Sequence, residues 1–301
     1  MFYSPLRYPG GKNKLSAFLA KICMDNKIHG QYVEPYAGGA SVALFLLLEG
    51  YVSEIIINDK DKSIYAFWYS VLNHTEELCD KIECTEITIE EWLNQKNIQK
   101  NKDDVEFLSL GFSTLFLNRT NRSGIIKGGV IGGVGQNGNY KMDCRFNKKE
   151  IKKRIKLIAS YKESIKLFNL DAIDLIDRVQ VESQNSNTIL YFDPPYYLKA
   201  ESLYMNHYLD EHHQQVSEKI KDIKNIHWIV SYDDNVNIER LYSDLPTKKY
   251  SFNHSAFSAR AGKEILFFSK NLIQPNIEDY NPVNFKIRRN KMKKDIIYKL
   301  K

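Results

Sequence analysis

The sequence predicts an α/β protein: a mostly parallel seven-stranded sheet with an antiparallel last strand, carrying one helical and loop-rich insertion. Three observations support this. Seven short apolar runs read as buried strands, helical patterns separate most of them, and about ninety residues interrupt the alternation between the second run and the third. Residues 32–34 form the first run, and a helical pattern over 41–49 follows it. The second run, 54–58, precedes a helical pattern over 62–73. Past the insertion come a third run at 166–169 with a helix over 172–179, then a fourth at 188–192 with a helix over 211–223. Runs at 227–231, 248–252 and 264–269 complete the set. The last two are joined without a helix, so the final strand is expected to enter antiparallel. The insertion is helical at first and then Gly-rich. It is too long for an ordinary crossover and reads as an inserted domain.

Composition bounds the class. At 301 residues and 43 % hydrophobic the chain can bury a real core, which excludes global disorder. The longest apolar run, Val42 to Leu48, falls far short of the roughly 18–20 residues of a membrane span. Met1-Phe-Tyr-Ser-Pro lacks the basic-then-apolar plan of a signal peptide, so a soluble, cytoplasmic protein is expected. Cys23, Cys79, Cys84 and Cys144 are scattered without a C-x-x-C pair, which disfavours a disulfide scaffold or structural zinc. Cys79 and Cys84 read as buried thiols, His212-His213 as helix surface without a third metal ligand, and Trp68, Trp92 and Trp228 as core.

Charge is concentrated in two blocks. Residues 284–301 hold eight Lys/Arg against Asp295, a net of +7; against the formal total of +6, residues 1–283 sum to −1. Residues 141–166 hold ten Lys/Arg against Asp143, Glu150 and Glu163, again +7. Local basicity of this kind suits polyanion contact, and it equally suits a solvated helix face and a basic tail.

Open α/β sheets bind ligands beyond the carboxyl ends of their strands. The first strand ends in Glu34-Pro35-Tyr36-Ala37-Gly38-Gly39, where glycines let a cofactor approach the backbone. This is not G-x-G-x-x-G, so NAD is disfavoured. The second ends at Asn58-Asp59, an acidic group about 20 residues past the glycines that suits ribose hydroxyls and also suits a helix cap. The fourth ends in Asp193-Pro194-Pro195-Tyr196. Consecutive prolines fix a rigid bend there, holding the Asp193 carboxylate and the Pro194 carbonyl as paired acceptors with Tyr196 as a stacking face. Two acceptors and an aromatic match the exocyclic amine of a flipped base.

These motifs resemble those of the DNA adenine-N6 methyltransferase family that includes the GATC-modifying methylases and their phage and restriction-system relatives. The matching blocks are Arg7-Tyr8-Pro9-Gly10-Gly11-Lys12, the Glu34–Gly39 turn, Asn58-Asp59, Leu117-Asn118-Arg119 and Asp193–Tyr196. Tyr8-Pro9 stands where the family often has an aromatic-Ala pair. The resemblance implies a Rossmann-like methyltransferase fold, S-adenosyl-L-methionine as methyl donor and double-stranded DNA as substrate. It places a catalytic domain in residues 1–80 and 160–272, a target-recognition insertion in 81–159 and a basic tail in 273–301. Tyr8, Lys12, Asp59 and Asp193 match cofactor-binding positions, to which Glu34, Gly38 and Asp171 are added. Asp171 serves equally well as a helix cap. Asp193, Pro194 and Tyr196 match the catalytic tetrad. Accepting both N6 hydrogens would localise the nitrogen lone pair for in-line attack, with no metal and no covalent enzyme intermediate required.

Seven of the fifteen glycines fall between Gly124 and Gly138, so that stretch is expected to lack a core and to be mobile without a partner. Base readout is expected in 119–141 and phosphate contact in 148–156, with Asn118, Arg119, Arg122, Lys141, Lys148 and Lys152 as DNA-binding candidates. A monomer of bacterial or phage origin is expected, with a cognate restriction endonuclease as a candidate partner. Two other readings stay open: the same scaffold acting on cytosine N4, RNA adenine or a protein glutamine, and a catalytically silent DNA-binding relative. Asp at the head of the tetrad argues against the cytosine and glutamine substrates, and the intact motifs argue against silence.

Overall fold

A computed structural model describes residues 2–8, 11–182, 187–197, 210–253, 261–275 and 280–287. Pro9, Gly10 and the tail from 288 onward lie outside the described residues. Seven strands form one sheet: β1 (Gln31–Glu34), β2 (Glu54–Asn58), β3 (Ile165–Phe168), β4 (Thr188–Phe192), β5 (His227–Asp233), β6 (Thr247–Asn253) and β7 (Ala261–Phe268), in the order β3-β2-β1-β4-β5-β7-β6. The first five pair in parallel; β7 is antiparallel to both β5 and β6, as the missing crossover helix requires. Strand order reverses between β1 and β4, the switch point where such sheets bind ligands.

The pleat divides the core. Tyr32, Ile55, Ile57, Ile189, Tyr191 and Ile229 face one apolar cluster, whereas Val33, Ile56, Leu190, Phe192 and Val230 face the other. Both faces being covered explains why β2 and β4 read as continuous apolar runs. Helices α1 (Ser16–Asp25), α2 (Ser41–Leu48) and α3 (Lys62–Asn73) bury the first face. The second is buried by α8 (Ala172–Glu182), α9 (Asp210–Lys221) and α10 (Val236–Leu241). Trp68, Trp92 and Trp228 are core residues, as expected.

The stretch between α3 and β3, where an insertion was expected in 81–159, holds α4 (Thr75–Cys84), α5 (Ile89–Lys100), α6 (Phe107–Thr120) and α7 (Lys148–Ala159). Its apolar side chains, among them Ile82, Phe112, Phe116 and Ile155, join the same cluster as α1–α3. Helix α6 lies against α3 at Gly111, where a Cβ would fall 2.5 Å from the Ala66 carbonyl oxygen. The Gly-rich stretch, expected to lack a core, is tied by hydrogen bonds around a buried side chain. Val130 is buried, and the Gln136 amide donates to the carbonyls of Ile131 and Gly133 while its oxygen accepts from the Met142 N–H. Side-chain amides do there what a core would do elsewhere.

Candidate active site

The ends of β1, β2 and β4 meet the N-terminal segment around one cavity, open to solvent. Tyr8, Lys12, Glu34, Gly39, Asp59 and Asp193, which the sequence places far apart, all line it. The glycine turn is built for close approach. Gly38 has φ +45°, and a Cβ there would sit 2.6 Å from Tyr8 Cε1, so the Tyr8 ring packs where a side chain would otherwise stand. Trp68 Nε1 donates to the Gly38 carbonyl at 2.9 Å and locks the turn from behind.

Each carboxylate is held differently. Glu34 accepts from the Ala43 N–H in the first turn of α2 at 3.1 Å; burial nevertheless pushes it up to about 8. Asp59 accepts from the Gly38 N–H at 2.9 Å and, through its other oxygen, from the Asp61 N–H at 2.9 Å. Desolvation and the neighbouring Asp61 raise it to about 7. Asp59 thus shapes the glycine turn as well as facing the cavity. Asp193 accepts from Ser231 Oγ at 2.8 Å and lies 3.2 Å from Lys12 Nζ, both on Oδ1. Desolvation lifts Asp193 to about 6, with Lys12 opposing and Glu264 adding to the rise. Its Oδ2 has no partner among the described residues.

Lys12 is buried among acceptors. Its Nζ lies 2.6 Å from the Tyr196 hydroxyl and 2.7 Å from Glu264 Oε1, and 4.8 Å from the Tyr196 ring centroid. Burial works to lower its pKa, but Asp193, Tyr196 and Glu264 hold it well above the usual lysine value. Tyr196 and Tyr250 both donate to Glu264. Tyr196 is accordingly fixed and buried, where an open stacking face was expected. Glu264, Tyr250, Ser231 and Tyr191, whose hydroxyl is 2.8 Å from Ser231 Oγ, were missed by sequence reasoning. The one signal was a glutamate heading an otherwise apolar strand.

Several expected site residues have other work. Asp171 does not line the cavity: it accepts from the Ile173 N–H at the start of α8 and pairs with Lys60 at 2.8 Å, which makes it a helix cap. Asn118 is buried, accepting from the Arg7 N–H at 2.7 Å and donating to the carbonyls of Arg7 and Gly124 at 2.9 and 2.8 Å. Arg119 Nε donates to the Pro5 carbonyl at 2.7 Å. Both brace the segment that delivers Tyr8 and Lys12, so neither is free to read a base. Lys148 donates to the Glu83 and Thr85 carbonyls at the end of α4, and Lys152 pairs with Glu83. Lys141 donates to the Gln136 carbonyl. Lys148 and Lys152 on α7 therefore answer the acidic helix α4 before they answer any polyanion. Arg122 remains exposed. His213, expected at a helix surface, is buried with Nδ1 2.9 Å from the Tyr232 hydroxyl, because α9 packs that side onto β5. Cys84, expected to be buried, is exposed.

The chain is 24 % identical over 206 residues to the type II methyltransferase M.MjaIII of Methanocaldococcus jannaschii, covering 64 % of this chain and 68 % of that one. Two solved structures overlap more loosely: a protein named as an RNA methyltransferase, PH1948 of Pyrococcus horikoshii (12 % identity, TM-score 0.38, 88 % and 87 % coverage), and the rRNA methyltransferase aviRa of Streptomyces viridochromogenes (7 %, 0.34, 83 % and 82 %). At those TM-scores neither likeness carries an argument. The D12 class N6 adenine-specific DNA methyltransferase family matches residues 8–256, which span the cavity, the glycine turn and the tetrad, and the chain belongs to that family.

Proposed function

We propose that this site-specific adenine methyltransferase acts on an adenine flipped out of double-stranded DNA, with S-adenosyl-L-methionine as donor and Asp193 Oδ2 as an acceptor for an N6 hydrogen. The observation that carries this is the asymmetry of Asp193: Ser231 and Lys12 take Oδ1 and leave Oδ2 to a substrate.

The cavity fits the donor. Its lining offers Glu34 and Asp59 as acceptors for an ammonium and for ribose hydroxyls, and the start of α2 with Lys12 for a carboxylate. When bound, the donor supplies an electrophilic methyl group on a cationic sulfur. The chain's residues do the rest. The acceptors Asp193 Oδ2 and the Pro194 carbonyl draw the N6 hydrogens and localise the nitrogen lone pair. Asp193, lifted to about 6, is basic enough to take the proton that N6 loses once methylated. Tyr196 supplies an aromatic plane for the base, and since that ring is buried, base capture has to uncover it.

DNA contact is assigned to the exposed Arg122, Lys127 and Arg145 around the Gly-rich stretch, with the basic tail adding phosphate contacts. The likeness to a type II methyltransferase favours work beside a cognate restriction endonuclease. The test is transfer of labelled methyl to duplex DNA. Asp193→Ala is expected to abolish transfer while the protein still binds duplex; full activity in that variant overturns the assignment.

A further inference from the structure

Strand register places Glu264 opposite Asp233 on β5 and Tyr250 on β6. It is 3 % exposed. Three donors converge on its carboxylate: Lys12 at 2.7 Å and the Tyr196 hydroxyl on Oε1, and the Tyr250 hydroxyl on Oε2. A carboxylate is costly in a strand whose next residues, Ile265, Leu266 and Phe267, are fully apolar. An apolar residue would serve the sheet as well. What the carboxylate adds is a tie between the strands and two groups of the active site, Tyr196 and Lys12.

We propose that Glu264 is a positioning residue of the methyl-transfer reaction, fixing Tyr196 for base capture and sharing the charge of Lys12 so that Asp193 remains a strong acceptor. This rests on the roles given above to Asp193 and Tyr196. The physical argument is one of competition. Lys12 stands between two carboxylates, 2.7 Å from Glu264 and 3.2 Å from Asp193. With Glu264 neutral, the ammonium acts on Asp193 alone, stabilises its charged form and makes it a weaker base. The groups that face Asp193 are Lys12 from the N-terminal segment, Tyr191 from β4, Ser231 from β5, Glu264 from β7 and Glu34 across the cavity. Of these, Lys12 carries the charge opposite to that of Asp193, and Glu264 controls how much of that charge Asp193 sees. Tyr196 loses an anchor in the same substitution, so both capture and chemistry depend on one side chain.

The experiment uses the full chain with Glu264→Gln, Tyr250→Phe and Asp193→Ala beside the unaltered enzyme. It reads kcat, KM for duplex and donor, the pH profile of single-turnover transfer, and fluorescence of 2-aminopurine at the target adenine. Glu264→Gln is expected to lower kcat about ten-fold or more, to move the acidic limb of the profile to lower pH and to reduce the fluorescence rise. Tyr250→Phe, which removes one donor from the same carboxylate, is expected to act in the same direction more weakly. A folded Glu264→Gln with unchanged kcat and fluorescence overturns the proposal, as does a loss of activity with the acidic limb unmoved, the mark of a plain buttress. Should Glu264→Gln not fold, an unaltered profile in Tyr250→Phe overturns it. Activity in Asp193→Ala instead rejects the underlying reading of the site.

Discussion

Glu34, Asp59 and Asp193 face one cavity, and desolvation lifts them to about 8, 7 and 6. Each folded value lies above the ordinary carboxylate value. The folded chain therefore holds protons that the unfolded chain releases, and stability falls as pH rises from about 4 through these values. Ligand-free protein is expected to show a lower urea midpoint at pH 8 than at pH 5.5, with Glu34→Gln shrinking the difference. A midpoint that rises across that window would contradict the placement of these groups. A cationic donor reverses the sense, because it favours the ionised carboxylates. Turnover has its own residue-scale limit: protonating Asp193 removes the acceptor, so single-turnover transfer with the cationic donor bound is expected to decline as pH falls below about 6.

At the scale of elements, the end of α6 acts on the cofactor pocket from a distance. Asn118 and Arg119 hold the backbone of Pro5 and Arg7, and the next residue, Tyr8, packs on Gly38. Gly124 completes the clamp: its φ is +78°, and a Cβ there would lie 2.0 Å from the Arg7 carbonyl oxygen. Asn118→Ala leaves the Arg7 backbone N–H and carbonyl without partners, at a cost of about 1–3 kcal/mol. That variant is expected to bind donor more weakly by calorimetry and to keep its preference for target over scrambled duplex. Unchanged donor affinity with a relaxed site preference would return Asn118 to the DNA surface. The sequence carried the Leu117-Asn118-Arg119 block plainly. Its role was illegible there, because a hydrogen bond spanning 111 residues leaves no trace in local spacing.

Across the whole molecule, charge that looks available in the sequence is partly neutralised by the fold. Lys152 and Lys156 on α7 pair with Glu83 and Glu76 on α4, and Lys166 pairs with Glu54. Arg122, Lys127 and Arg145 are exposed and make no ion pair among the described residues. Replacing these three with glutamine is expected to flatten the salt dependence of duplex binding by about 0.9 log unit for each phosphate no longer neutralised, or to relax site preference where one reads a base. Lys152→Gln is expected to leave both unchanged. Binding of target and scrambled duplexes at two salt concentrations separates the outcomes, and an equal effect from Lys152→Gln would put α7 back on the DNA.

Sequence alone determined the sheet, its seven strands and the antiparallel seventh, because the period of two and the helical alternation are local consequences of burial. It also marked the glycine turn and the Asp193–Tyr196 tetrad, since glycines and paired prolines restrict the backbone locally, and Asp59 by its place at the end of β2. Tertiary structure decided which polar groups meet. Glu264 read as the head of a strand until register set it against Tyr250 and Lys12. Asp171 read equally as a cofactor contact and as a helix cap until Lys60 and the start of α8 claimed it. Lys148 and Lys152 read as phosphate contacts until α4 packed against them. A backbone conformation is a property of a few adjacent residues, whereas a hydrogen bond or ion pair belongs to whichever groups the folded chain brings within about 3 Å.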